Sequence, residues 1–352
     1  MWQTNPFVEK LGLDRLIIQA PMAGATTPEL AAAVSNAGGL GGLGLATSPI
    51  EVADAQIAAF RALSNRSLNI NFFCHTEPDG TRLEGTEMWE RLRPYYAAKG
   101  LDSPVPHAPF PTFGSDHLEL IRRHRPQVVS FHFGLPPSAL FSAVKATGAL
   151  VLSSATTVAE ARWLEAQGVD AVIAQGLEAG GHRGTFLDAA PSVQTGLFAL
   201  LPQIVRGVRI PVIAAGGIAD GRGIAAALML GASGVQIGTA FLRCPEAAVH
   251  PDHRAALATA HDDGTRLTRL FSGRPARVIR NRYTEALKDV DDLAFPFPIQ
   301  ASVSGPLRQG ADASDFASFA AGQGAPLTRA MPASDLVHAL IGETVEALRQ
   351  RD

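Results

Sequence analysis

Residues 174–185 read AQGLEAGGHRGT, which places Gln175, Glu178, His182 and Arg183 on a backbone loosened by Gly176, Gly180, Gly181 and Gly184. An imidazole can carry a proton near neutrality or help to hold an anion, and His182 beside Arg183 suits either task. Glycine lacks a Cβ, so this backbone can lie very close to a bound ligand. A buried core strand has no use for four polar side chains among four glycines. The competing reading is a surface loop with an incidental histidine, and the elements around the stretch decide between the two.

Two further glycine turns follow, in IPVIAAGGIADG and GVQIGTAFL. Free backbone amides at such turns suit a phosphate group, so Gly216, Gly217 and residues 236–239 read as a cradle for a phosphorylated cofactor. Upstream, QAPMAG offers Met22 and Ala23 as soft or small neighbours for an aromatic ring, and NINFFCH offers Asn71, with Asn69 as its same-face alternative. Either asparagine serves equally well as a strand cap. His132, in SFHFGLP, points toward the same region; packing and ligand roles are balanced for it, and His75 reads as a loop residue. His250 and His253 have helical metal-ligand spacing but no third ligand nearby, so a solvated surface is the expectation and no metal site is assigned. Gly39, Gly41 and Gly44 match GxGxxG, but they lie inside an apolar run instead of bridging a strand into a helix, and they read as a place where the wall passes close to a neighbour or a flat ligand. No GxSxG, GxxxxGK[ST] or HExxH pattern occurs.

These residues need elements to position them. Short apolar runs at 16–23, 39–46, 67–74, 127–134, 149–154, 171–175, 211–216 and 234–241 predict eight strands, several apolar on consecutive positions as strands buried on both faces are. Amphipathic segments at 28–37, 49–63, 137–147, 158–167 and 224–230 predict helices between them, several opening on Thr, Ser or Asp. The alternation predicts an α/β fold, a (β/α)₈ TIM barrel whose ligands sit at the C-terminal ends of the strands. That puts His182 at the mouth, after strand six. Two segments break the rhythm. Residues 76–114 form an insertion with a short helix at 86–99, and residues 262–332 are expected to form a smaller, mostly helical cap after strand eight. The expected division is therefore a barrel over 1–261, a cap over 262–332, and a C-terminal helix in 333–352 that packs one apolar face back on the barrel.

The whole chain sets outer limits. Its 352 residues can bury a sizeable core, and 46% hydrophobic with 18% charged residues is ordinary for a globular protein. A net charge of −3 gives no basic field for nucleic acid or anionic lipid. The two cysteines, Cys74 and Cys244, suggest neither a disulfide framework nor a thiolate metal site. Residues 1–10 lack a basic n-region and an apolar h-region, and no apolar stretch is long enough to cross a bilayer, so the cytoplasm is the expected compartment.

Taken together, QAPMAG, NFFCH, SFHFGLP, AQGLEAGGHRG, AAGGI, GVQIGTAFL and SGRPAR resemble the nitronate monooxygenase family, formerly called 2-nitropropane dioxygenases. The resemblance implies a barrel that binds FMN without a covalent link and oxidises alkyl nitronates, such as propionate 3-nitronate, with molecular oxygen to a carbonyl compound and nitrite, as detoxification chemistry. It also implies that Asn71, Gln175, Gly180, Gly217, Gln236, Ile237, Gly238 and Thr239 contact FMN, with Gly217 and 236–239 at its phosphate. His182 would be the active-site base or the cation that steadies the nitronate. The alternative on the same barrel is an FMN-dependent NAD(P)H:quinone reductase or enoyl-acyl carrier protein reductase. Oligomeric state is left open.

Overall fold

The computed structural model describes residues 6–104, 110–187 and 194–349. Part of the insertion, 105–109, and the end of the predicted C-terminal segment, 350–352, lie outside them. In chain order the strands are β1 (Ile17–Gln19), β2 (Gly41–Gly44), β3 (Leu68–Phe73), β4 (Val128–His132), β5 (Leu150–Ala155), β6 (Ala171–Gln175), β7 (Gly181–His182), β8 (Val212–Ala215), β9 (Gly234–Ile237), β10 (Thr265–Thr268) and β11 (Ala276–Ile279). Eight of them form one parallel sheet in the order β1-β9-β8-β6-β5-β4-β3-β2. A parallel bridge between Ile18 and Leu40 joins its two ends, where the Leu40 N–H donates to the Ile17 carbonyl at 2.9 Å. With helices between the strands, this is the predicted (β/α)₈ TIM barrel.

Neighbouring residues along each strand face opposite ways, as the two-residue period requires. Leu16, Ile18, Leu152, Ile173 and Ile213 fill the barrel interior, while Ile17, Val151, Val172 and Val212 pack outward against the helices. Phe7, Val8 and Leu11 of the first helix, Pro6–Leu11, join the interior cluster at the end opposite the mouth. Helix starts follow the expected side-chain chemistry: Thr27, Thr157 and Asp220 accept from the N–H groups of Leu30, Glu160 and Gly223 at 3.0, 3.1 and 2.8 Å.

The glycines of the GxGxxG match serve packing. A Cβ on Gly41 would lie 2.0 Å from the Ala31 carbonyl oxygen and 2.6 Å from its carbon, backbone atoms of helix Pro28–Asn36 that cannot swing aside. Gly41→Ala is therefore expected to destabilise the protein by at least about 1–3 kcal/mol, the usual cost of overpacking, read as a lowered urea midpoint with an unchanged slope.

The insertion and the segment after β9 pack into one second core. Met88, Trp89, Leu92 and Tyr96 of helix Glu87–Ala98 meet Phe271, Tyr283, Phe295, Val303 and Phe316. Besides helical turns, that later segment contributes β10 and β11, an antiparallel pair to which β7 adds as a third strand. Helix Ala333–Arg349 lies back on the barrel, close enough that a Cβ on Gly221 would meet the Glu343 Cβ at 2.3 Å.

Candidate active site

The C-terminal ends of the barrel strands open into a cavity of about 840 Å³, within the range of small-molecule and cofactor sites. Its wall includes Asn71, Gln175, Gly180, His182, Gly217, Gln236, Gly238 and Thr239. The structure thus gathers eight of the nine residues singled out from the sequence. The ninth, Ile237, turns its side chain outward into the helix layer, and its carbonyl accepts from the Ala20 N–H at 2.8 Å.

The loop after β6 is pinned from three sides. Gln175 at the end of β6 donates through Nε2 to the His182 carbonyl at 2.9 Å and accepts through Oε1 from the Gly184 N–H at 2.8 Å. Arg183, only 1% exposed, turns away from the cavity and donates to the carbonyls of Gln175 and Gly176 at 2.8 Å. It is a structural clamp and does not share the site with His182. The third restraint is β11, whose Ala276 pairs with His182 and whose Arg277 pairs with Gly181. SGRPAR and AGGHRG are therefore neighbours in space, a juxtaposition that no local pattern announces.

This pairing brings Ser272 to His182, with Ser272 Oγ 2.8 Å from His182 Nε2. Nδ1, bonded to no described group, is the nitrogen left for a ligand. Phe73, Phe133 and Phe297 surround the imidazole edge-on, with ring centroids 5.9, 5.8 and 5.5 Å away. His132 lies beneath it, with Nδ1 3.0 Å from Ser154 Oγ and Nε2 3.2 Å from the His182 carbonyl oxygen.

Burial in this aromatic setting disfavours the charged imidazoles. His182 is pushed down to about 3, first by burial and then by His132, Arg274 and His75. His132 and His75 are held at about 4, also mainly by burial. At neutral pH all three are uncharged, and the nearby positive charge is Arg274, whose guanidinium stacks 4.2 Å from the centre of the Phe133 ring.

A stability consequence follows with a definite sign. Between the ordinary value of 6.5 and the lowered values of about 4 and 3, the unfolded chain binds protons that the folded protein refuses. The contribution is complete above pH 6.5 and is lost as pH falls through the lowered values. The melting temperature should fall steadily from pH 7 toward pH 4, and less steeply in His75→Phe, whose ring would keep the edge contact with Phe297 at 4.9 Å. A flat profile in the native protein would contradict this.

Another part of the mouth presents unengaged backbone donors and an orphan acceptor. Gly217, at φ +72°, follows β8, while Gly238 and Thr239 follow β9. Their N–H groups donate to no acceptor among the described residues. The buried Oε1 of Gln236 likewise has no partner, and a buried orphan acceptor costs free energy that a ligand donor would recover. Thr239 Oγ1 accepts from the Gly322 N–H at 2.9 Å, tying the covering segment to this turn. Free amides with an orphan carbonyl oxygen fit a cofactor that combines a phosphate with a hydrogen-bonding heterocycle.

His253 differs from expectation. Its ring stacks on Phe319 at 4.8 Å and 7° and lines the cavity instead of facing solvent. No cluster among the described residues has the composition of a metal site.

The nitronate monooxygenase family model matches residues 5–343. A nitronate monooxygenase of Pseudomonas aeruginosa is 43% identical over 349 residues, covering 97% of this chain and 99% of that one. One from Paraburkholderia phytofirmans is 41% identical over 97% and 96% of the two chains. Among solved structures, nitroalkane oxidase from Streptomyces ansochromogenes superposes with a TM-score of 0.88 at 37% identity, covering 97% and 98%. FabK from Thermotoga maritima superposes at 0.77 with 30% identity, covering 99% and 98%. The chain therefore belongs to the nitronate monooxygenase family of oxidoreductase enzymes.

Proposed function

We propose that the protein binds FMN and uses molecular oxygen to oxidise alkyl nitronates, such as propionate 3-nitronate, to a carbonyl compound and nitrite, a detoxifying reaction. The observation that carries this reading is that an uncharged His182, with Nδ1 free, lines the same cavity as the unengaged amides after β8 and β9. In it, Gly217, Gly238 and Thr239 hold the FMN phosphate through their N–H groups. Asn71, Gln175, Gly180, Gln236 and the backbone of Ile237 meet the rest of the cofactor. Bound FMN supplies electron transfer between nitronate and oxygen, and the chain supplies position and field.

His182 has two ways to act, set by which partner holds the proton between Nε2 and Ser272 Oγ. If Ser272 donates to Nε2, Nδ1 carries a hydrogen and can donate to a nitronate oxygen. If Nε2–H donates to Ser272, Nδ1 is bare and can remove the α-proton of a neutral nitroalkane. A base held at about 3 is poorly matched to a carbon acid at neutral pH, so the reading favours the preformed nitronate. An arriving anion would raise that value by stabilising the protonated ring. The surrounding phenylalanines exclude water and strengthen these interactions.

The likeness to FabK gives a second reading, a flavin-dependent reductase on the same barrel. Neither nucleic acid nor membrane enters either reading, and no helix among the described residues is long and apolar enough to cross a bilayer. The test is to purify the protein, identify any flavin released by acid, and assay nitrite from propionate 3-nitronate. FMN and nitrite are expected; a colourless protein that cannot be reconstituted with FMN would remove the proposal.

A further inference from the structure

The cavity wall carries a charged side chain that the proposed reaction does not use. Arg308 ends the turn Gly305–Arg308 that follows helix Ile299–Ser304, and it lines the same cavity as His182. It is the one Lys or Arg on that wall among the described residues, and no Asp or Glu lines it. Its Nε is buried without a partner, and its one described hydrogen bond runs from a terminal nitrogen to Ser304 Oγ at 3.1 Å. A guanidinium has five N–H donors, so most of its capacity is unspent.

Its surroundings differ from those of the other arginines near the mouth. Arg183, Arg274 and Arg277 each feel a carboxylate, Glu160 or Glu178. Arg308 feels none; burial lowers it, and the other group acting on it is the Tyr283 phenol. Arg308 is half-buried, and a charge drawn even partly out of water is ordinarily paired, because leaving it unpaired is costly. Ser304 Oγ, itself donating to the Phe271 carbonyl at 2.8 Å, holds the guanidinium 5.5 Å from the centre of the Phe271 ring. Phe271 adjoins Ser272, the partner of His182, whereas the unengaged amides follow β8 and β9.

We infer that Arg308 forms a second anion subsite, which receives a carboxylate borne by the substrate while the nitronate group lies at His182. This rests on the functional reading above and narrows it to carboxylated nitronates. The arrangement suits a planar two-oxygen anion, since a guanidinium can engage both oxygens at once.

The test compares the flavin-loaded native protein with Arg308→Gln and Arg308→Lys. KM is measured for propionate 3-nitronate and for propyl-1-nitronate, which lacks the carboxylate. Binding of succinate, a dicarboxylate that is not a nitronate, is followed by calorimetry, independently of turnover. Arg308→Gln should raise KM for propionate 3-nitronate by about tenfold or more, in keeping with loss of a charge-assisted bond, leave propyl-1-nitronate within about twofold, and lose succinate binding. Arg308→Lys should recover part of both effects, which a misfolded variant would not do. Equal changes for the two nitronates, or undiminished succinate binding by Arg308→Gln, would overturn the subsite. So would loss of FMN from Arg308→Gln, which would assign the guanidinium to the cofactor. If the native protein oxidises neither nitronate yet binds succinate through Arg308, the functional reading fails and the subsite stands.

Discussion

Replacing His182 with asparagine is expected to lower turnover of nitronates by roughly tenfold or more through loss of a hydrogen bond to a charged group, and any turnover of neutral nitroalkanes by up to about 10²–10⁴-fold, the range for loss of a positioned base. The flavin should stay bound. The reason lies in where the imidazole is anchored: Nε2 is 2.8 Å from Ser272 Oγ on the segment leading into β11, whereas the amides proposed for the phosphate follow β8 and β9. Asparagine keeps a polar group but cannot act as a base. Steady-state rates with both substrate forms, together with the flavin absorbance of the purified variant, check the expectation. Loss of flavin would make His182 a structural part of the cofactor site instead.

The second large effect is expected from Gly238→Asp. Gly238 has a φ of −109°, which any residue adopts, and a Cβ there would meet the Ala20 Cβ at 3.4 Å and Met22 Sδ at 3.6 Å, ordinary contacts. The fold should therefore tolerate the change. The new carboxylate would stand beside unengaged N–H groups that otherwise suit an anion, and like charges brought together in such a site cost several kcal/mol. FMN affinity should fall at least about 100-fold, with a near-native melting temperature for the apoprotein. Titration of the apoprotein with FMN measures it, and unchanged affinity would move the phosphate elsewhere.

The barrel was legible because its strands are buried on both faces. Runs such as 150–152 and 171–174 are apolar at consecutive positions, and Thr27, Thr157 and Asp220 mark helix starts with side chains that do cap. The helices at Ser115–His124 and Leu197–Gly207 follow from the alternation alone and have weaker local marks: the first comes directly after the insertion, and the second opens on Gly196 without a side-chain cap. The residues of the mouth could be named because glycines mark close approach. Their neighbours could not. Ser272 reaches His182 through a three-stranded pairing between residues 90 positions apart, and β7 is only two residues long. His253 had the spacing of a solvated helix face, yet Phe319, far along the chain, covers it. Arg308 was passed over for the same reason, since neither its missing carboxylate nor its place on the cavity wall is a property of the residues beside it.

The central claim, oxidation of nitronates at His182 beside a flavin, is tested most directly by oxygen uptake. Purified, FMN-saturated protein is given propionate 3-nitronate in one chamber of an oxygen electrode, while in parallel NADH oxidation is followed with a quinone. Rapid oxygen consumption with nitrite release, and slow NADH oxidation, is the expected result. Rapid NADH oxidation with no nitronate-dependent oxygen uptake would contradict it and favour the reductase reading.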